Sequence, residues 1–249
     1  WQELSEKCSL NAVNDAELLL KLLDQSGLKK LEELDGVYAF AYYKNNKLIL
    51  ARDIIGEKPL WFIHTADNFA FASEKKVLVK LGYANVQELN PRQILIYNTE
   101  TKIIEIKQRT FFTYLPECQN SYAEIKRQTK QLLHQAVKKR IPNQKFGLLF
   151  SGGIDSTFLA KYFKDNGSDF TCYTAVFDNE NSNEPADLTY AKKAAQELDL
   201  KLKIKKIKLE ELPSYLKKIV PLIEDSNVVK VGVAIPFYLA SEMAKEDGC

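Results

Sequence analysis

The sequence predicts two folds in tandem, an α+β half built on antiparallel sheet and then an α/β half built on a doubly wound parallel sheet. Three observations carry this. Up to about residue 106, short apolar strands are joined by tight polar turns, which is how antiparallel hairpins read. From residue 121 onward, strands alternate with amphipathic helices, which is how parallel sheets read. Between these regions, Thr110 to Asn120 contains Pro116 and shows no apolar period, so it reads as a linker. Domains of residues 1–113 and 114–249 are expected.

Taken in order, residues 14–25 form a helix. Asn14 is its N-cap, Glu17 the capping-box partner, and Leu18, Leu19, Leu22 and Leu23 its apolar face. Val37 to Tyr43 and Leu48 to Ala51 are strands of a hairpin turning at Lys44–Lys47. Arg52 to Pro59 is a turn, Leu60 to Ile63 a third strand, Phe69 to Ala72 a fourth, and Ser73 to Leu81 a short helix. Ile94–Asn98 and Lys102–Ile106 pair around Thr99–Thr101.

In the second half, Ser121 and Glu124 have capping-box spacing. The helix they start has Ile125, Leu132, Leu133, Ala136 and Val137 inside and ends before Pro142. Phe146 to Phe150 is one buried strand. The strand Thr171–Phe177 follows a helix carrying Phe158, Leu159, Tyr162 and Phe163 on one face. A polar loop, Asp178–Ala186, leads to a helix with Leu188, Ala191, Ala194, Ala195 and Leu198. A strand Leu200–Ile207 and helices near Ser214–Val220 and over Ile235–Ala244 complete the pattern. The lysine run Lys201–Lys208, interleaved with Leu202, Ile204 and Ile207, reads as a strand with one solvated face.

The stretch with the most chemistry is Ser151-Gly-Gly-Ile-Asp-Ser156, between the buried strand and its helix. Adjacent glycines let backbone approach an anion, and a helix start offers free N–H groups. Ser151, Ser156 and Thr157 add hydroxyls. Asp155 repels a bare phosphate, so the spelling suits a polyphosphate bound with Mg²⁺. It is neither the P-loop, which needs a Lys after its last glycine, nor G-x-G-x-x-G. A plain strand–helix turn is the competing reading. Ligands of parallel sheets sit at the carboxyl ends of strands, where this loop and the end of the next strand, Ala175 and Val176, both lie.

The 249 residues are 45% hydrophobic and 27% charged, which suits a globular chain with room for two cores. A net charge of +2 is too small to argue for nucleic acid. No run of about 18 apolar residues and no signal peptide is visible, so a membrane is not expected. Cys8, Cys118, Cys172 and Cys249 lack CxxC spacing, and His64 and His134 are isolated. Zinc and a disulfide framework are therefore not expected, no cysteine is read as a nucleophile, and a reducing cytoplasm is the default. The chain starts at Trp1 without a Met and stops just after a helical stretch, so a piece of a longer protein is expected.

Both halves resemble glutamine-hydrolysing asparagine synthetase. The segments Leu34-Asp-Gly-Val-Tyr-Ala-Phe-Ala41, Leu50-Ala-Arg-Asp-Ile-Ile-Gly-Glu-Lys-Pro-Leu60 and Phe71-Ala-Ser-Glu74 are similar to its glutaminase domain. Leu148-Leu-Phe-Ser-Gly-Gly-Ile-Asp-Ser156 is similar to its ATP loop. The resemblance implies an Ntn-hydrolase-like first half and an ATP-pyrophosphatase-like second half. β-Lactam synthetases share this layout, and a non-catalytic relative of the asparagine synthetases would keep the fold.

The activity implied is ATP-dependent asparagine synthesis by a carbon–nitrogen ligase, with ammonia drawn from glutamine. The small-molecule partners implied are aspartate, glutamine and ATP, with ATP and Mg²⁺ at the synthetase site; a second copy of the chain is one further option. The family's N-terminal Cys nucleophile has no counterpart here, so no catalytic residue is assigned and no glutaminase activity is expected of residues 1–249. By resemblance, Asp15 takes the role of the Asp that binds the glutamine α-amino group; its other reading is a carboxylate at a helix start. Ser151, Gly152, Gly153, Asp155 and Ser156 take the pyrophosphate-loop roles, with Asp155 on Mg²⁺. Leu149 and Ala175 align with positions that contact adenosine through backbone, although Ala175 replaces a usual Val and Val176 a usual Gly. Glu224 to Lys230 falls where the family has an acidic segment, and Asp225 with Lys230 reads either as a surface ion pair or as part of a site.

Overall fold

The computed structural model describes residues 2–114, 116–178 and 184–249. The chain divides into two compact units, Trp1–Glu117 and Cys118–Cys249. Position 1, Leu115 of the expected linker, and residues 179–183 of the expected polar loop lie outside the described residues.

The first unit opens with helices α1 (Gln2–Lys7) and α2 (Asp15–Ser26) and a short 3-10 turn, Gly27–Glu33. The start of α2 is set by side chains. Asn14 Oδ1 accepts the Glu17 N–H at 2.8 Å, while Glu17 Oε2 reaches back to the Val13 N–H at 2.7 Å, one residue beyond the usual capping-box partner. Strands β1 (Ala39–Lys44), β2 (Lys47–Arg52), β3 (Trp61–His64) and β4 (Phe69–Ala72) follow, then α3 (Lys75–Lys80), β5 (Gln87–Glu88), β6 (Gln93–Asn98) and β7 (Ile104–Gln108). They form two antiparallel sheets, ordered β1-β2-β6-β7 and β4-β3-β5. The β1–β2 hairpin turns on Asn45 and Asn46, both with positive φ (50° and 58°), as a two-residue turn of primed type requires. The apolar run of β2 is buried on both faces. Ile49 and Ala51 pack with Leu23 and Leu31 of the helical layer. Leu50 packs with Leu60, Leu89 and Leu95, between the sheets.

The return strand of the later hairpin begins at Ile104 rather than Lys102. Asn98 Oδ1 accepts the N–H groups of Glu100 and Thr101, and Lys102 takes a positive φ of 58°, so the turn uses up Lys102 and Ile103. The helix α1, the 3-10 turn and the two-residue β5 were not expected from the pattern, being too short to show a period.

The second unit contains α4 (Tyr122–Lys138), β8 (Phe146–Leu149), α5 (Ile154–Asp165), β9 (Phe170–Asp178), α6 (Ala186–Glu197), β10 (Leu202–Lys208), α7 (Leu212–Ile223) and α8 (Val228–Glu246). Its sheet is parallel, ordered β10-β9-β8. Leu148, Phe150 and Cys172 pack with Ala160 and Phe163 of α5 and with Ala191 and Ala195 of α6. Ala175 and Ile207 pack on the opposite face, with Ile219 of α7 and Val231, Ile235 and Leu239 of α8. The sheet is therefore wound on both sides.

Three expectations are corrected. Along α4, Ile125, Leu132, Leu133 and Ala136 are exposed and only Val137 is half-buried against the core, so the apolar stripe exists but is not inside. The lysines of β10 do not share one solvated face: Lys203 pairs with Asp247 and Lys205 with Glu242, both on or just after α8. The last helix begins seven residues before Ile235, because Asn227 Oδ1 caps the N–H groups of Val229 and Lys230, and it runs through Pro236.

Candidate functional site

The strand β8 delivers the glycine loop to the carboxyl end of the sheet. The Phe150 N–H still bonds to Tyr173 O at 2.8 Å, so the strand pairing runs one residue past β8 before the chain turns. Gly152 then takes φ +73°, and a Cβ there would stand 2.5 Å from the Ala191 nitrogen. The loop is thus pressed onto the backbone of α6 as only glycine allows. Gly153 caps α5 without a side chain, leaving the first N–H groups of α5 uncapped by any side chain. Ser151 Oγ accepts the Gly153 N–H at 3.3 Å and lies 3.2 Å from Ser156 Oγ, which donates to Gly153 O at 3.2 Å. The result is a tight, exposed turn that gathers the hydroxyls of Ser151 and Ser156 beside the uncapped amides of α5.

The residues expected to meet nucleotide are brought together, with one qualification of level. Leu149 pairs with Tyr173, so Ala175, two residues further along β9, stands level with Ser151. Leu149 and Ala175 both point to the α8 side, whereas Leu148 and Phe150 point to the α5–α6 side. Asp155 is exposed on the first turn of α5. Among the described residues no group of three or more His, Cys, Asp or Glu side chains could hold a metal by itself. A single carboxylate beside a loop of hydroxyls and uncapped amides nonetheless fits Mg²⁺, which takes one or two carboxylates together with substrate phosphates.

A groove of about 430 Å³ runs from Gly152 between α5 and α6, lined by Ile154, Phe158, Tyr190 and Ala194. Its lysines are engaged, Lys161 with Asp165 and Lys193 with Glu197. Pattern reading missed this groove, since its walls come from two helices whose outer faces look like ordinary surface. Lys230 likewise pairs with a carboxylate, Asp225, just ahead of α8.

In the first unit, Asp15 is exposed at the first position of α2, its Oδ1 accepting the Ala16 N–H at 2.9 Å. Sequence reasoning passed over a buried polar hub whose signal was the Arg52-Asp53 pair. Arg52 is 3% exposed and bonds to Glu88 Oε1 at 2.6 Å and to the carbonyl oxygens of Leu89 and Gly56. Arg109 donates to Arg52 O at 2.6 Å, to Pro91 O and Leu31 O, and to Tyr38 Oη. Asp53, 4% exposed, accepts the N–H groups of Gly56, Glu57 and Lys58 at 2.8–3.0 Å. Burial pushes its carboxyl up, but the N–H groups of Lys58, Glu57 and Gly56 outweigh this and hold it below the usual carboxylate range. All four cysteines are free, and burial pushes the Cys172 thiol up to about 12.

Residues 2–135 match the family described as Glutamine amidotransferase domain, more than half of the chain. The chain belongs to that family. Residues 128–249 match the family described as Asparagine synthase, so an amidotransferase segment is followed by a synthase segment. A putative glutamine-hydrolysing asparagine synthetase of Methanocaldococcus jannaschii is 37% identical over 94% of this chain and 45% of its own length. The glutamine-hydrolysing asparagine synthetases of Gallus gallus and Homo sapiens are each 26% identical, over 93% and 94% of this chain and 46% of their own lengths. The chain therefore spans a little under half the length of these relatives. Among solved structures, a glutamine phosphoribosylpyrophosphate amidotransferase from B. subtilis shares 18% identity, covering 76% of this chain and 46% of its own, with a TM-score of 0.39. The architecture of this amidotransferase–synthase chain rests on its own strand pairings: antiparallel throughout the first unit and parallel in the second.

Proposed function

We propose that this chain is the joined part of a glutamine-dependent asparagine synthetase. ATP binds at Ser151–Ser156 with its adenosine along Leu149 and Ala175, and glutamine is held in the first half with its α-ammonium on Asp15. The observation that carries the reading is the pairing of an amidotransferase segment with a Ser-Gly-Gly loop at the carboxyl end of β8. A carboxylate is a poor acyl donor until one oxygen becomes a good leaving group. The β-carboxylate of aspartate attacks the α-phosphorus of ATP and pyrophosphate leaves. Ammonia then attacks the activated carbonyl, and AMP leaves with the carboxylate oxygen. The chain's residues supply the cradle: amides at the start of α5 and the hydroxyls of Ser151 and Ser156 hold phosphate oxygens as charge shifts onto pyrophosphate. Mg²⁺, when bound, would neutralise phosphate charge there, with Asp155 as its protein ligand.

The same reading sets the functional boundary at residues 113 and 114. It also takes the cytoplasm as the setting, which accords with four free cysteines. A homodimer is the assembly it allows. The test is pyrophosphate release by the intact protein. Release that needs aspartate, and that yields asparagine with either glutamine or ammonia, is expected. Release driven by another carboxylate, or none, would overturn the assignment.

A further inference from the structure

The phosphate loop has an unbalanced charge. From Leu149 to Thr157 its only charged side chain is Asp155, while the ligand proposed for it is a polyanion. Beside the Mg²⁺ that Asp155 would hold, a cationic side chain for the phosphates would have to come from a neighbouring element, and the sheet restricts which. The helix α8 lies on β8 and β9: a Cβ on Gly147 would stand 3.3 Å from Ala244 Cβ, and Val231 and Ile235, toward the other end of the helix, belong to the core cluster that includes Ala175. Since Ala175 is level with Ser151, α8 runs antiparallel to β8, with its end by the start of the strand and its beginning by the loop. From Ala244 back to Lys230 the helix spans about 21 Å at 1.5 Å per residue. From Gly147 to Ser151 the strand spans about 13 Å at 3.3 Å per residue. The first turn of α8 therefore stands beyond the strand ends, at the height where a ligand of the loop would lie.

Lys230 is in that turn, with its side chain exposed and its Nζ paired with Asp225. The N–H groups of Val229 and Lys230 are occupied by Asn227 Oδ1, so the side chain, not the helix terminus, is what α8 offers to an anion. The lysines of β10 are a poorer choice. That strand is two places from β8, about 10 Å across the sheet. We infer that Lys230 is a phosphate ligand of the nucleotide bound at Ser151–Ser156, held by Asp225 until the nucleotide arrives. This rests on the nucleotide-site reading above. An exposed ion pair contributes little and is readily exchanged, and lysine brings a mobile point charge suited to the exchange.

The experiment measures ATP and adenosine affinity of the intact protein in Mg²⁺ buffer by calorimetry, for the wild type and for Lys230→Met, Lys230→Arg and Gly152→Ala. Lys230→Met is expected to weaken ATP by about tenfold or more, as loss of a charge-assisted bond to phosphate requires. It should leave adenosine unchanged, and Lys230→Arg should restore most of the ATP affinity. If Lys230→Met binds ATP like the wild type while Gly152→Ala does not, or if it weakens ATP and adenosine alike, the assignment of Lys230 falls and the nucleotide site stands. If the wild type binds no ATP, both fall.

Discussion

Gly152 lies against Ala191 so closely that a Cβ on the glycine would stand 2.5 Å from the Ala191 nitrogen and 2.6 Å from its Cα. This contact fixes the loop to α6 by backbone, with no side chain that could swing aside. Gly152→Ala should cost about 2–4 kcal/mol, from a positive-φ backbone together with overpacking. Gly153→Ala should be far milder, because a Cβ there meets only Ser151 Oγ, at 3.3 Å. Urea unfolding of the two variants, with pyrophosphate release measured beside it, checks this. Equal stability of the two would show that the loop is free of α6.

Asp15→Ala in the intact protein should raise the glutamine KM by about 10- to 150-fold, the range expected for losing one charge-assisted hydrogen bond to the α-ammonium. Ammonia-driven synthesis should be nearly unaffected. The geometry makes the test clean, because Asn14 and Glu17 carry the capping of α2 and both remain in the variant. Equal loss of the glutamine- and ammonia-driven rates would point to misfolding and count against the binding role.

What was legible in the chain was local. Ser151–Ser156 could be read because two glycines between an apolar run and a helix leave few backbone paths, and Asn45-Asn46 because few residue pairs tolerate two positive φ angles. What covers a face was not legible. The stripe of α4 has the period of a buried helix, yet Leu132 and Leu133 are 64% and 49% exposed, since a period shows which side is apolar and not what meets it. The last helix reads from Ile235, but the cap of α8 lies further back at Asn227. The level of Ala175 with Ser151 follows from strand register, which no single stretch encodes.

Cys172 should be the slowest of the four thiols to react with iodoacetamide at pH 8. It is fully buried in β9, and with the thiol pushed up to about 12 almost none is thiolate at that pH. Cys118 and Cys249 are exposed and should be modified first. Mass mapping after partial labelling checks the order, and early labelling of Cys172 would mean that the parallel sheet opens under native conditions.

Asp53→Asn should destabilise the first unit at neutral pH, and by less as the solution is acidified. The carboxylate accepts N–H groups from Gly56 and Glu57 on Oδ1 and from Lys58 on Oδ2. An asparagine keeps one acceptor oxygen and turns an amide NH₂ toward a donor, a loss of about 1.5–3 kcal/mol. The sign of the pH effect follows from the lowered folded-state value. The folded protein holds the charged form more tightly than the unfolded chain, whose Asp titrates near ~3.9. The stabilisation is therefore complete above that value and is lost as pH falls through the lower folded value, while the variant's amide side chain does not titrate. Urea unfolding of wild type and variant at pH 7 and at about pH 3, followed by the fluorescence of Trp61 in β3, gives the two differences. Other carboxylates contribute to both proteins and largely cancel. The gap should shrink in acid; a gap that stayed constant or widened would mean that Asp53 is not held as a carboxylate by those three amides.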